Sequence, residues 1–127
     1  MLLTLPWPSR LLSPNARSHW AAKSKAAKAY RMTCFTLALE AGLRGVPWEG
    51  PIHLHLTFYK PSRRRMDMDN ALASAKNGLD GLADALGVND SRFRLHLEFA
   101  EEIGGMIKIA ISQESSGSVS APTGEKS

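Results

Sequence analysis

The chain carries a single cysteine, Cys34. No intramolecular disulfide can staple it, and no cysteine-based zinc cage can form. Such poverty suits a reducing compartment, so the expected location is the cytoplasm. Long apolar runs are missing too: no stretch reaches the roughly 18 residues of a membrane-spanning helix. The opening MLLTLPWPSR is broken by Pro6 and Pro8 before it could form a signal-peptide core. No association with a membrane is therefore expected. With 127 residues, 43% of them hydrophobic, the chain suffices for one core and falls short of two.

Acidic residues are scarce in the first half. Residues 1–66 hold eleven Lys/Arg against Glu40 and Glu49, a balance of +9, whereas residues 67–127 hold five against ten acids, a balance of −5. A basic half joined to a carboxylate-rich half suits a protein that draws in a polyanion and also holds a divalent cation. It equally suits two ordinary solvated faces.

Residues 1–6 read as a short strand, and PWPSRLLSPN, dense in Pro, Ser and Asn, reads as a loop. Ser18 can cap a helix running from about Trp20 to Ala41. Ala26, Ala27, Tyr30, Cys34, Leu37 and Ala41 recur along one face of it, with Lys25, Lys28 and Arg31 opposite. Gly42, Gly45, Pro47 and Gly50-Pro51 close that helix. IHLHLTFY then alternates as a strand, Ile52, Leu54, Leu56 and Phe58 on one side, and leads into the basic turn KPSRRR.

A second helix is expected from Asn70 to Leu86, with Leu72, Ala75, Leu79, Leu82, Ala83 and Leu86 in one stripe and Gly87 as its stop. RFRLHLEF and MIKIAIS alternate on either side of EEIGG, which reads as a hairpin. The expected fold is a single α/β (α+β) domain, β-α-β-α-β-β, a mixed sheet of about four strands with both helices on one face. It occupies residues 1–112. Residues 113–127, with almost nothing to bury, read as a disordered tail.

The densest chemical signal is RRRMDMDN followed by KNGLDGLADALGVND. In extended backbone Asp67 and Asp69 would project to the same side, so both carboxylates could aim at one point. Asp69 or Asn70 would also serve as the helix cap. Two acids at a helix start are commonly no more than cap and dipole residues. Asp90 follows the end of the helix, and only a chain reversal through Gly87-Val88-Asn89 would bring it back. Converging carboxylates would need protonation or a cation, and an all-oxygen donor set selects Mg²⁺ or Mn²⁺.

Lys76 and Asp80 share a strip of that helix with Asp69, where a lysine could neutralise a phosphate or could simply form an i,i+4 pair. Arg63, Arg64 and Arg65 could contact phosphates or belong to a solvated loop. Trp7 and Trp20 bracket a loop carrying Arg10, Arg17 and His19; they could stack on unpaired bases or anchor the loop. His53 and His55 have the H-x-H spacing of zinc ligands, with no further ligand evident nearby.

In order along residues 3–112, the N-terminal L-P-W-P-S with an Asn beyond it, R-R-R-x-D-x-D-N, a Lys ahead of L-D-G-L, and A-L-G-V-N-D resemble the RusA family of Holliday junction resolvases, including phage and prophage versions. The resemblance implies a homodimeric, Mg²⁺-dependent endodeoxyribonuclease, with Mn²⁺ as a substitute. Such an enzyme resolves four-way DNA junctions by paired phosphodiester hydrolysis in recombination and repair. It implies Asp67, Asp69 and Asp90 as metal ligands and Lys76 as the catalytic lysine, with Arg63, Arg64, Arg65, Arg17, Lys25 and Lys28 as DNA contacts. Lys76 comes about one helical turn later after Asn70 than in familiar members, and Asn89 stands where many relatives carry a second acid. The alternative is a non-catalytic DNA-binding module of a phage or prophage.

Overall fold

The structure is a computed structural model that describes residues 1–17 and 19–113. The expected cap Ser18 and residues 114–127 of the expected tail lie outside the described residues. The strands are β1 (Leu2–Pro6), β2 (Ile52–Tyr59), β3 (Phe93–Phe99) and β4 (Met106–Gln113); the helices are α1 (Trp20–Glu40) and α2 (Met68–Leu86). The element order β-α-β-α-β-β and the four-stranded mixed sheet are as expected. Gln113 belongs to β4, one residue beyond the expected domain boundary. There its amide oxygen accepts from the Glu49 N–H at 2.7 Å.

The sheet order is β1-β4-β2-β3, with β2 parallel to β3 and β4 antiparallel to both β1 and β2. The expected β3–β4 hairpin is therefore corrected. Because α2 lies between β2 and β3, the chain can return to run β3 parallel to β2, as parallel neighbours require. Residues 100–105 then pass over the end of β2: Ala100 N–H donates to Phe58 O at 3.0 Å, Gly104 N–H to Lys60 O at 2.9 Å, and Gly105 N–H to Tyr59 O at 2.7 Å. This carries β4 to the far side of β2. Two strand spacings are about 10 Å, which six residues span easily, so local alternation around a Gly pair could not tell a hairpin from a crossing.

Leu3, Leu5, Ile52, Leu54, Leu56, Phe58, Ile107, Ile109 and Ile111 form the buried face of the sheet, and both helices supply the opposing layer. On α1 the buried stripe is Tyr30, Cys34 and Ala38; Ala26, Ala27 and Leu37 are half-buried and Ala41 is exposed. The Tyr30 hydroxyl donates to Pro6 O at 2.7 Å, tying α1 to the end of β1. Burial raises the pKa of Tyr30 far above its usual value and pushes the Cys34 thiol up to about 11. Cys34 is a packing residue held as a thiol, not a thiolate.

Small residues on α2 set the helix separation. A Cβ on Gly78 would sit 2.6 Å from Tyr30 Cε2, and one on Gly81 would drive into the carbonyl oxygen of Arg31. Arg31 lies opposite the apolar stripe, as its spacing predicts, and is exposed. From that face its Nε donates to Asp84 Oδ2 at 2.7 Å and its Nη2 to Asp84 Oδ1 at 3.0 Å, a two-pronged bridge between the helices. Arg44 closes α2 from outside, donating to Ala85 O at 3.1 Å and Asp84 O at 2.9 Å.

Alanine is a better helix former than glycine by about 1 kcal/mol, yet Gly81→Ala should lower the free energy of unfolding by about 2–3 kcal/mol in urea denaturation, because the obstacle is backbone. An unchanged or raised stability would contradict the close approach. The hydrogen bond from Arg31 holds the Asp84 carboxyl below the ordinary carboxylate range. A depressed carboxyl pKa stabilises the fold above the unfolded-state value, and that stabilisation is lost as pH falls through the folded-state value. The stability gap between wild type and Asp84→Asn should thus be widest near neutrality and close in strong acid; a gap independent of pH would count against the bridge.

Candidate nucleic-acid interface and acidic strip

The basic turn after β2 is a latched structure. Lys60 Nζ donates to Arg64 O at 3.1 Å, the Arg64 N–H donates to Ser62 Oγ at 3.3 Å, and the Lys60 ammonium lies 5.5 Å from the centre of the Phe99 ring. The loop after β1 is held as well. Ser9 Oγ accepts from the Leu11 N–H and Ser13 Oγ from the Asn15 N–H, while Trp7 packs edge-on against Phe58 at 6.2 Å. Trp7 is thus a loop anchor. Trp20 remains 77% exposed at the start of α1.

These two segments enclose an open cleft of about 680 Å³ at the head of α2. Arg10, Arg17, Lys60, Arg64 and Arg65 line it with Asn70, and among the described residues no acidic side chain does. Of the expected DNA contacts, Arg17, Arg64 and Arg65 meet here. Arg63, Lys25 and Lys28 are not in the lining. Two of the basic lining residues, Lys60 and Arg10, are not among the expected DNA contacts, although Arg10 belongs to the loop between Trp7 and Trp20 and Lys60 to the basic turn. The signal for them is tertiary, since only the fold shows that the loop after β1 faces the end of β2.

Helix α2 begins at Met68, two residues earlier than expected, because Met68 packs against the core. Asp67 is consequently the N-cap residue, with extended backbone (φ −80°, ψ 145°), and its side chain makes no capping hydrogen bond. Asp69 lies in the first turn, so neither Asp69 nor Asn70 is the cap, and the two aspartates do not sit on one extended segment. Both are exposed beside the cleft-lining Arg65 and Asn70.

The chain reversal needed by Asp90 does occur. Gly87, at φ 72°, ends α2; its N–H donates to Ala83 O at 2.9 Å and the Val88 N–H to the same carbonyl at 3.1 Å. Asn89 then caps a single turn of 3₁₀ helix, Asp90–Arg92, its side chain accepting from the Ser91 N–H at 2.8 Å. The reversal delivers Asp90 to the middle of α2. Lys76 Nζ donates to Asp80 Oδ1 at 3.1 Å and to Asp90 Oδ2 at 3.4 Å. Asp69 is seven residues before Lys76 on the same strip, about 10 Å of helix rise.

The hydrogen bond to Asp80, reinforced by Asp90, raises the Lys76 pKa above that of an ordinary lysine. Lys76 is a fixed cation, suited to balancing negative charge and unsuited to acting as a base. Among the described residues, no group of three or more His, Cys, Asp or Glu side chains is placed to hold a metal ion. Asp67 and Asp69 are thus not gathered with Asp90. As exposed oxygen donors next to a basic cleft they do fit Mg²⁺, which is usually held by one or two carboxylates plus waters and substrate phosphates.

No family model matches the chain. A Xylella fastidiosa (strain Temecula1 / ATCC 700964) protein, described as uncharacterized, is 46% identical over 114 residues, which cover 87% of this chain and 74% of that protein. The chain belongs to the same family as that protein. Among solved structures, the periplasmic domain of Helicobacter pylori MotB aligns at a TM-score of 0.45 and 16% identity, over 90% of this chain and 81% of that one. That likeness is too slight to bear on function. Among the described residues, no helix is long and apolar enough to cross a membrane.

If the cleft takes a phosphate backbone, substituting Arg17 and Arg65 together by Ala should weaken DNA binding across all sequences. It should also flatten the plot of log affinity against log salt by about 0.9 for each phosphate no longer neutralised. Fluorescence anisotropy at several salt concentrations measures both. An unchanged slope would remove the cleft from the interface.

Proposed function

We propose that the chain is a metal-dependent endodeoxyribonuclease of the RusA type, acting on branched DNA and resolving four-way junctions. The observation that carries this reading is the basic cleft opening at the head of α2, lined among the described residues by five cations and no acid, where Asp67 and Asp69 are exposed. Electrostatic attraction to the cleft would orient a phosphodiester backbone, leaving one phosphate close to the two carboxylates. Asp67 and Asp69 would hold Mg²⁺ or Mn²⁺, which when bound supplies Lewis acidity and an activated water.

Lys76, kept charged by Asp80 and Asp90, is already offset by those two carboxylates and would have to turn from one of them to meet a phosphate. In this role it would steady the backbone flanking the scissile phosphate rather than move protons. Arg64 and Arg65, on a turn fixed by Lys60 and Ser62, set the approach of the backbone. A twofold homodimer would present two such sites to the two symmetry-related strands of a junction. The buried thiol of Cys34 is consistent with a cytoplasmic location.

One observation favours the second reading, a DNA-binding module without chemistry: the Asp90 carboxylate is committed to Lys76. The two readings separate in one assay. With Mg²⁺ or Mn²⁺, wild type should nick synthetic four-way junctions in preference to linear duplex. Asp69→Asn should retain junction binding and lose cleavage by about 100-fold or more, the scale of losing a transition-state contact. A wild type that binds junctions but leaves them whole supports the non-catalytic module.

A further inference from the structure

The face of the sheet turned away from the helices carries a histidine cluster outside the proposed nuclease site. In the parallel β2–β3 register His55 lies opposite His96, and His53 precedes His55 by two residues on the same face. The imidazoles of His55 and His96 stack at 4.2 Å between centres and 8° between planes. Nε2 of His96 and Nδ1 of His53 share a hydrogen bond at 3.2 Å, one ring donating its N–H to the other, and an ion held by both nitrogens would take the place of that proton. The H-x-H pair evident in the sequence thus gains its partner from a strand some forty residues later.

We propose that His53 and His96 form a two-imidazole chelate for a divalent transition-metal ion, with Zn²⁺, Ni²⁺ and Cu²⁺ as the class, and with water completing the coordination. A tetrahedral zinc with Zn–N of about 2.0–2.1 Å separates its ligand nitrogens by about 3.3 Å. The observed 3.2 Å between Nδ1 and Nε2 matches that separation. Imidazole nitrogen selects this class of ion over Mg²⁺, which prefers oxygen. The site is therefore chemically distinct from the aspartates of α2.

His55 does not converge on the same point, since its ring lies flat against His96; it is a positioning residue that holds the His96 plane. Of the charged neighbours on this face, Arg94 is turned onto the backbone, donating to Ser91 O at 2.9 Å and Phe93 O at 3.2 Å. Glu98, two residues beyond His96 on β3, adds negative charge to the same face. His55 and His96 are exposed and His53 is half-buried, so substitutions there leave the core intact.

Calorimetric titration of the full chain with Zn²⁺, in excess Mg²⁺ to saturate oxygen sites, tests the assignment. Wild type and His19→Ala should each bind about one Zn²⁺ per chain. His53→Ala and His96→Ala should lose it, and His55→Ala should weaken it by about tenfold, as for a residue that orients a ligand. No zinc uptake by wild type, or equal uptake by the His53 and His96 variants, overturns the proposal. Junction cleavage does not enter this test, so its outcome is independent of the nuclease reading.

Discussion

The close approach of α1 and α2 is the constraint on which the rest of the molecule depends. Where Gly78 and Gly81 pass Tyr30 and the backbone of Arg31, no side chain fits. The buried small residues around them, Ala71, Ser74, Ala75 and Ala85, let α2 pack closely beside its partner helix over the sheet. Once α2 is seated there, its head meets the loop after β1, its exposed strip carries Asp69, Lys76 and Asp80, and its end reverses at Gly87. Tyr30 extends the same contact to Pro6, so the register of β1 and the seating of α2 are linked through one side chain.

Much of the architecture is legible in the sequence because it is local. Alternation in IHLHLTFY and MIKIAIS, and the apolar stripe of α2, report directly on which side of each element faces the core. What local pattern does not carry is partner choice. An alternating segment pairs equally well with either neighbour, and the Gly pair before Met106 serves a crossing as readily as a turn. The length of residues 100–105, longer than a tight hairpin needs, is the available signal. On α1 the apolar spacing favours Leu37 and Ala41, whereas the buried residue is Ala38. With alanine at 26, 27, 29, 38 and 41, hydrophobicity hardly marks which face packs.

The site divides along the same line. Asp67, Asp69 and the arginine turn are recognisable as a unit because they are contiguous. That Lys76 stands between Asp80 and Asp90 requires the reversal at Gly87, which the sequence allows without deciding where it lands. Lys60 escapes a sequence reading because a lysine at a strand end is ordinary until the loop after β1 is known to face it. His96 becomes legible only if β3 runs parallel to β2, an arrangement that the hairpin expectation displaces.

If the chain acts on branched DNA as proposed, the nucleic acid should lie along the cleft and the exposed strip of α2, not across the open face of the sheet. A photo-crosslinking side chain placed in turn at Ser62 in the cleft wall, Ala73 on the strip and Thr4 on the open face reads this directly, with a labelled four-way junction as target. Adducts from positions 62 and 73, with none from position 4, are the predicted result. Adducts from position 4 with none from position 62 would contradict it.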